Sequence, residues 1–192
     1  MFIACASASQ VLCLDEASGK ISSITLPLPP SGLSLSSDES KLFVTCAGPQ
    51  SKISIVDLKK QRIVATFPGG HTATAPVLSL DGKTLYICNQ FDNDVSVIDL
   101  AAKRELCRIG VRREPVAADI MKDGKFLLVA NQLPAGRADM ETIAAVVSVI
   151  DLAKRKVVKE LHLPNGSGSL KDIRISPDGK FAAVTHIVSS FS

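Results

Sequence analysis

Three observations predict that this 192-residue chain folds as an all-β protein of four-stranded antiparallel blades, a β-propeller. The motif Ile/Val-Asp-Leu recurs at Asp57, Asp99 and Asp151, with a weaker copy at Asp15, so its spacings are 42, 42 and 52 residues. A fixed period of about forty residues marks a repeat architecture. Within each period, short runs of β-branched and aliphatic residues are separated by turn signals, and four antiparallel strands repeated radially make propeller blades. No window shows a convincing helical period, which excludes a helical repeat.

Taken in order, residues 1–26 supply three strands, at 2–6, 10–15 and 20–26. Met1-Phe-Ile-Ala-Cys5 lacks the basic start and long apolar middle of a signal peptide and matches the second strand of the repeat instead. Pro27-Leu-Pro-Pro30 cannot donate ladder hydrogen bonds and reads as the crossing from an outer strand to the next inner one. The second blade spans 31–67, with Ser37-Asp-Glu-Ser40 where other repeats have Asp-Gly. The third spans 75–109 and the fourth 115–163, each opening on a strand that ends in Asp-Gly-Lys, at Asp81 and Asp123. That dipeptide between apolar runs signals a two-residue type I′ hairpin, which needs positive φ. Residues 170–186 give two strands of a fifth blade around Ser176-Pro-Asp-Gly-Lys180. The total is 17 strands grouped three, four, four, four and two, about four and a quarter blades, which predicts an open arc of a larger ring with unpaired edges that favour association.

The segments Phe43-Val-Thr-Cys46, Tyr86-Ile-Cys-Asn89, Leu128-Val-Ala-Asn131 and Ala183-Val-Thr-His186 are preceded by Ser-Pro-Asp-Gly-Lys or a variant, and the first three are followed by copies of Val-Ser-Val-Ile-Asp. In this the chain resembles the YVTN-type β-propeller repeat family along almost its whole length. The resemblance implies a ring of the seven-bladed kind, a location in the periplasm or outside the cell, and a non-catalytic scaffold binding a protein, glycan or small ligand. Similar propellers also include lactonases and the propeller portions of quinoprotein and copper reductases, so an enzyme or enzyme subunit is the alternative. The repeat residues build turns and sheet cores, and function sits on loops the repeat does not specify.

Composition narrows the classes. With 46% hydrophobic residues, 4% aromatic and no Trp, the core must be Val, Ile, Leu and Ala. The net charge of +3, without a long basic run, leaves no nucleic-acid footprint, and no apolar run approaches a membrane span. Lys59-Lys60, Lys103-Arg104 and Lys154-Arg155-Lys156 occupy one equivalent turn and read as a solvated rim. Cys5, Cys13, Cys46, Cys88 and Cys107 all fall in strands without metal or redox spacing and are expected to be small buried hydrophobes, with no disulfide between Cys5 and Cys46. No nucleophile elbow, phosphate loop or haem-attachment motif is present, so neither a cofactor nor a metal site is predicted.

Candidate binding residues come from the connections. First-to-second and third-to-fourth turns are tight and share one face; second-to-third and fourth-to-first loops are longer and share the other, where binding is expected. That loop face carries His71, Asp92, Asp94, Arg112 and Arg113, with His186 at the position filled by Asn89 and Asn131 in earlier repeats. Residues 132–142 account for the ten extra residues before Asp151 and bring Arg137, Asp139 and Glu141 at alternate positions. They form either a mobile lid with one cation and two carboxylates or a tolerated surface insertion, since loop entropy scarcely opposes added length. His71 and His186 are either structural or contributors to a metal or proton-transfer site. Convergence of these groups on the propeller axis favours an enzyme, and scatter round the rim a platform.

Overall fold

The computed structural model describes residues 1–134 and 143–188, and within them every regular element but one is a strand. The first sheet contains β1 (Phe2–Cys5), β2 (Gln10–Leu14) and β3 (Ile21–Thr25), with one 3-10 turn at Ala6–Ala8. The second contains β4 (Pro30–Leu35), β5 (Lys41–Cys46), β6 (Lys52–Asp57) and β7 (Arg62–Pro68). The third contains β8 (Ala73–Leu78), β9 (Thr84–Asn89), β10 (Asp94–Asp99) and β11 (Arg104–Gly110). The fourth contains β12 (Pro115–Ile120), β13 (Phe126–Asn131), β14 (Val146–Asp151) and β15 (Lys156–His162), and the fifth β16 (Ser167–Ile175) and β17 (Ala182–Val188). Strand count and grouping are those read from the repeat, and every neighbouring pair is antiparallel in simple chain order.

The sheets stack side by side, and the first strands β4, β8, β12 and β16 meet in succession along one line, the axis. One apolar cluster fills each gap between sheets. Val44 and Leu42 lie in the first gap, Phe43, Ile55 and Leu85 in the second, Tyr86, Val97 and Leu127 in the third, and Leu128, Leu170 and Ile173 in the fourth. Third strands are covered on both sides, so Val95, Val97, Ile98, Val147 and Ile150 are buried. Val149 is half-buried, because it faces the fifth sheet, where only two strands stand to cover it. Among the described residues β1 is paired only with β2 and β17 only with β16, and the first and last sheets share no strand pairing.

The Asp-Gly-Lys turns differ from the two-residue hairpin their sequence predicts. Gly82, Gly124 and Gly179 have φ of 69°, 69° and 72°, but the preceding Asp81, Asp123 and Asp178 do not have positive φ, which a type I′ turn would require. Instead Gly82 N–H closes on the Ser79 carbonyl at 2.9 Å, the Ser79 hydroxyl donates to Asp81 at 2.6 Å, and Asp81 accepts the Lys83 N–H at 3.1 Å. The Asp is there to tie the turn through its side chain, and only the Gly needs left-handed backbone. The same bonds recur around Asp178, and in the second sheet Glu39 takes the left-handed place of the Gly at φ 54°. The five cysteines are free thiols; Cys46 and Cys88 are buried, while Cys5, Cys13 and Cys107 are only half-buried because they lie on outer strands or on the first sheet.

Candidate functional site

Loops on the face opposite the tight turns meet above the third sheet. Asn89 ends β9 fully buried, where an amide must find partners for both donors and its acceptor. Its Nδ2 donates to Asp94 Oδ1 at 2.6 Å and to Ser96 Oγ at 2.7 Å, and its Oδ1 accepts the Gly70 N–H at 3.1 Å. Ser96 passes the chain on to Glu105 Oε2 at 2.8 Å, and Glu105 Oε1 accepts from Arg108 Nε at 2.9 Å. Arg108 Nη1 donates to Asp92 Oδ2 at 2.9 Å and lies 3.6 Å from Asp94 Oδ2. Asp92 Oδ2 also accepts the His71 N–H at 2.8 Å, which closes the network onto the crossing between β7 and β8.

Three carboxylates thus share one guanidinium. Burial pushes the Asp94 carboxyl above its ordinary range, the Asn89 amide and Arg108 oppose that, and the neighbouring Asp92 and Glu105 charges reinforce it. Arg108 is held more firmly protonated, chiefly by Glu105. The His71 ring stands edge-on to Phe91 with centroids 5.1 Å apart, its Nδ1 3.1 Å from Thr72 Oγ1. Gly70 is required by this closeness: a Cβ there would fall 2.4 Å from Asn89 Cγ and 2.6 Å from Asp92 Oδ2.

The structure therefore joins His71, Asp92 and Asp94 and leaves the other expected residues apart. Arg112 pairs bidentately with Glu160 on the outermost strand of the fourth sheet, at 2.7 and 2.9 Å, which lowers the Glu160 carboxyl. Arg113 is exposed, and His186 is exposed on β17 opposite Leu170. Arg137, Asp139 and Glu141 lie outside the described residues. Among the described residues no cluster of His, Cys, Asp and Glu is arranged to hold a metal.

Residues unforeseen at the loop face are Asn89, Ser96, Glu105 and Arg108. Their trace in the sequence is the repeated Asn at the end of a second strand and the Ser in the middle of the third. The fourth sheet repeats half the motif: Asn131 Nδ2 donates to Ser148 Oγ at 3.0 Å and to the Val146 carbonyl at 2.8 Å, but its buried Oδ1 has no partner among the described residues. Phe91 N–H meets the His71 carbonyl as Leu133 N–H meets that of Arg113, so Arg112 stands where the third sheet has Gly70. A side chain in place of a bare Cα keeps the backbone from the approach that satisfies Asn89. Between the sheets, Gln90 Nε2 donates to Glu114 Oε2 at 3.2 Å and to Gln132 Oε1 at 3.0 Å.

The axis itself carries a different set of groups. A cleft of about 300 Å³ is lined by inner-strand residues including Ser31, Thr74, Ala117, Lys171, Asp172 and Arg174, with Arg174 Nε 3.3 Å from Asp172 Oδ2. None of the loop-face candidates among the described residues lines it.

Comparison with known proteins bears on this geometry. The family model described as Cytochrome D1 heme domain matches residues 37–146. The solved structure of Kuenenia stuttgartiensis hydrazine synthase is similar, with 26% identity and a TM-score of 0.88 over 99% of this chain. The chain spans about half of that one, 53% of its length. No curated protein sequence matches. The propeller fold is common ground between these findings and the YVTN-type resemblance, while the family that matches is a different one.

Proposed function

The chain belongs to the cytochrome D1 heme domain family, and from that premise we propose that it is the propeller part of a redox enzyme, a domain or subunit that shapes and walls the site. The reading departs from the non-catalytic scaffold expected from the repeats and takes up its alternative, an enzyme or enzyme subunit. The observation that carries it is the likeness of nearly the whole chain to one half of a chain titled hydrazine synthase.

The family's name implies a heme, whose iron takes His, Cys, Met or Tyr as its axial ligand. The described lining of the axial cleft contains none of these residue types. His71 is turned onto Phe91 and Thr72, His162 and His186 are exposed on strands, and the one tyrosine, Tyr86, is packed in the core between sheets. Cys46 and Cys88 are buried in strands, with burial pushing the Cys88 thiol up to about 12. The described lining of the axial cleft therefore does not fit an iron-ligating heme site, and in our reading it forms a wall of the enzyme and does not hold its metal.

The test is a spectroscopic titration of the purified chain with ferric heme. The expected result is a spectrum without axial ligation by a protein side chain, unchanged in His71→Ala. A low-spin, imidazole-ligated spectrum that disappears in His71→Ala or His186→Ala would overturn the reading. A platform on the loop face is a second reading, favoured by one observation: His71, Asp92 and Asp94 gather above the third sheet, tied to its outermost strand, and do not converge on the axis.

A further inference from the structure

A second cleft, of about 430 Å³, opens on the tight-turn face as a wedge between the second and third sheets. Its floor is apolar, formed by Phe43, Ile55, Leu78 and Leu100, and its lip includes Val64, which is 43% exposed. Two ammonium groups stand at its rim, Lys41 from the start of β5 and Lys103 from the turn before β11. Among the described residues neither takes part in a salt bridge.

The rim carboxylates are already engaged. Asp38 accepts the Ser36 and Ser40 hydroxyls and the Ser40 N–H, and these bonds, the Ser36 hydroxyl foremost, hold its carboxyl down to about 2. Asp81 accepts the Ser79 hydroxyl and the Lys83 N–H. Both stay ionised but are fixed to their own turns, so the charged groups free to turn toward a ligand are the two ammonium groups. A cavity of this size with an apolar floor and a few polar groups at its edge is within the range that encloses a small molecule.

The neighbouring gap differs at one equivalent position. In the third gap the position of Phe43 is held by Tyr86, which is 8% exposed and whose phenol feels the charges of Asp81 and Arg155 at the same face. Tyr86 thus carries a hydroxyl where Phe43 carries none.

We infer that the wedge between the second and third sheets binds a small amphipathic organic anion, a carboxylate or sulfonate on a short aliphatic or single-ring body. The apolar body lies on Phe43 and Leu78, and the acid group reaches Lys41 and Lys103. The site is independent of the axial cleft and of the loop face.

The test uses the chain itself with 4-phenylbutyrate as probe and 4-phenylbutanol as its neutral analogue, read by amide chemical shifts. Perturbations should centre on the backbone around Lys41, Phe43, Leu78 and Lys103. Phe43→Tyr, which copies the neighbouring gap, should weaken binding of both probes. Lys41→Gln combined with Lys103→Gln should weaken the acid by roughly fivefold, the upper range for exposed ion pairs, and leave the alcohol unchanged. Val64→Glu, a surface change at the lip, serves as a second blocking variant that cannot disturb the core. The inference falls if millimolar probe leaves the wedge unperturbed, if acid and alcohol bind equally well, or if the perturbations lie at β1 and β17 and survive Phe43→Tyr and Val64→Glu.

Discussion

Gly124 and Gly70 are constrained for different reasons, and each gives a measurable consequence. Gly124 has φ of 69°, and a Cβ there would meet Leu80 Cδ1 at 3.1 Å, so a β-branched residue is strained by both backbone and neighbour. Gly124→Val should cost about 1 kcal/mol or more, read as a lower urea midpoint with unchanged slope. Gly70→Ala drives a methyl into Asn89 and Asp92, and overpacking of this kind costs about 1–3 kcal/mol. Glu39 is the converse case: at φ 54° it sits where other repeats have Gly, and Glu39→Gly should stabilise by roughly 0.5 kcal/mol, the difference between left-handed strain and glycine's entropy. Turn carboxylates set the pH dependence. Asp38 is held at about 2, and Asp57, Asp81, Asp151 and Asp178 are lowered by hydrogen bonds within their own turns. A lowered folded-state pKa gives stability that is present above the unfolded value of about 4 and lost as pH falls through the folded one. Urea midpoints should therefore drop between about pH 4 and 2, and the drop should be smaller in Asp38→Ala. Asp94, raised by burial, has the opposite sign: its ionisation opposes folding as pH rises through its folded pKa. Asp94→Asn, which keeps an acceptor for Asn89, should therefore lose less stability at neutral pH than Asp94→Ala.

At the scale of the element, third strands test how sheets cover one another. Val97 is 3% exposed between two complete sheets, and Val97→Ala should cost about 2 kcal/mol from lost transfer energy plus a residual cavity. Val149 occupies the equivalent place in β14 but faces the two-stranded fifth sheet, so Val149→Ala should cost about half as much. The strands were legible because their periodicity is local: a run of apolar residues between Asp-Gly-Lys and Val-Asp-Leu turns has few other ways to fold. Turn type was not legible, since Asp-Gly serves both a type I′ turn and the longer side-chain-tied turn seen at Asp81, and the same turn forms at Asp123 with Met121 in the place of Ser79. The loop-face network was half legible. His71, Asp92 and Asp94 announce themselves as polar groups on a loop, but Asn89, Ser96 and Glu105 lie inside strands, where a polar residue reads as pattern noise until its partners across the sheet are known. Arg108 is on the outer strand, brought to Asp92 by antiparallel pairing between residues 16 apart.

For the whole molecule, the edges decide solution behaviour. β1 and β17 each leave one side unpaired among the described residues, and Ile3, Phe181 and Ile187 are 42%, 73% and 58% exposed beside them. Unpaired edges with apolar neighbours favour association, so the chain should form oligomers at micromolar concentration in light scattering, and Ile187→Lys should reduce them. A sharply monomeric species would contradict this. The open arc was legible from strand counting alone, whereas the family was not, because repeat residues that build sheets are shared by propellers of many activities. The contrast between a buried Asn89 with partners for both donors and its oxygen and an Asn131 whose Oδ1 has none among the described residues also belongs to this scale. It arises from which residue each crossing places above the sheet, something no single repeat reveals.

Sheets that meet mainly their neighbours in chain order behave as a row of linked units and not as one indivisible block. Under mechanical load applied at the two ends, the molecule should therefore yield in instalments. Release of the second or third sheet would free about 42 residues, as set by the spacing of Asp57 and Asp99, and the terminal sheets fewer. At a reach of about 3.4 Å per residue, that corresponds to force-extension steps of roughly 140 Å. The three-stranded first sheet, which meets its neighbour mainly through β1 against β4, should go first, and a single all-at-once rupture would mean that the sheets are bound together by more than their shared seams.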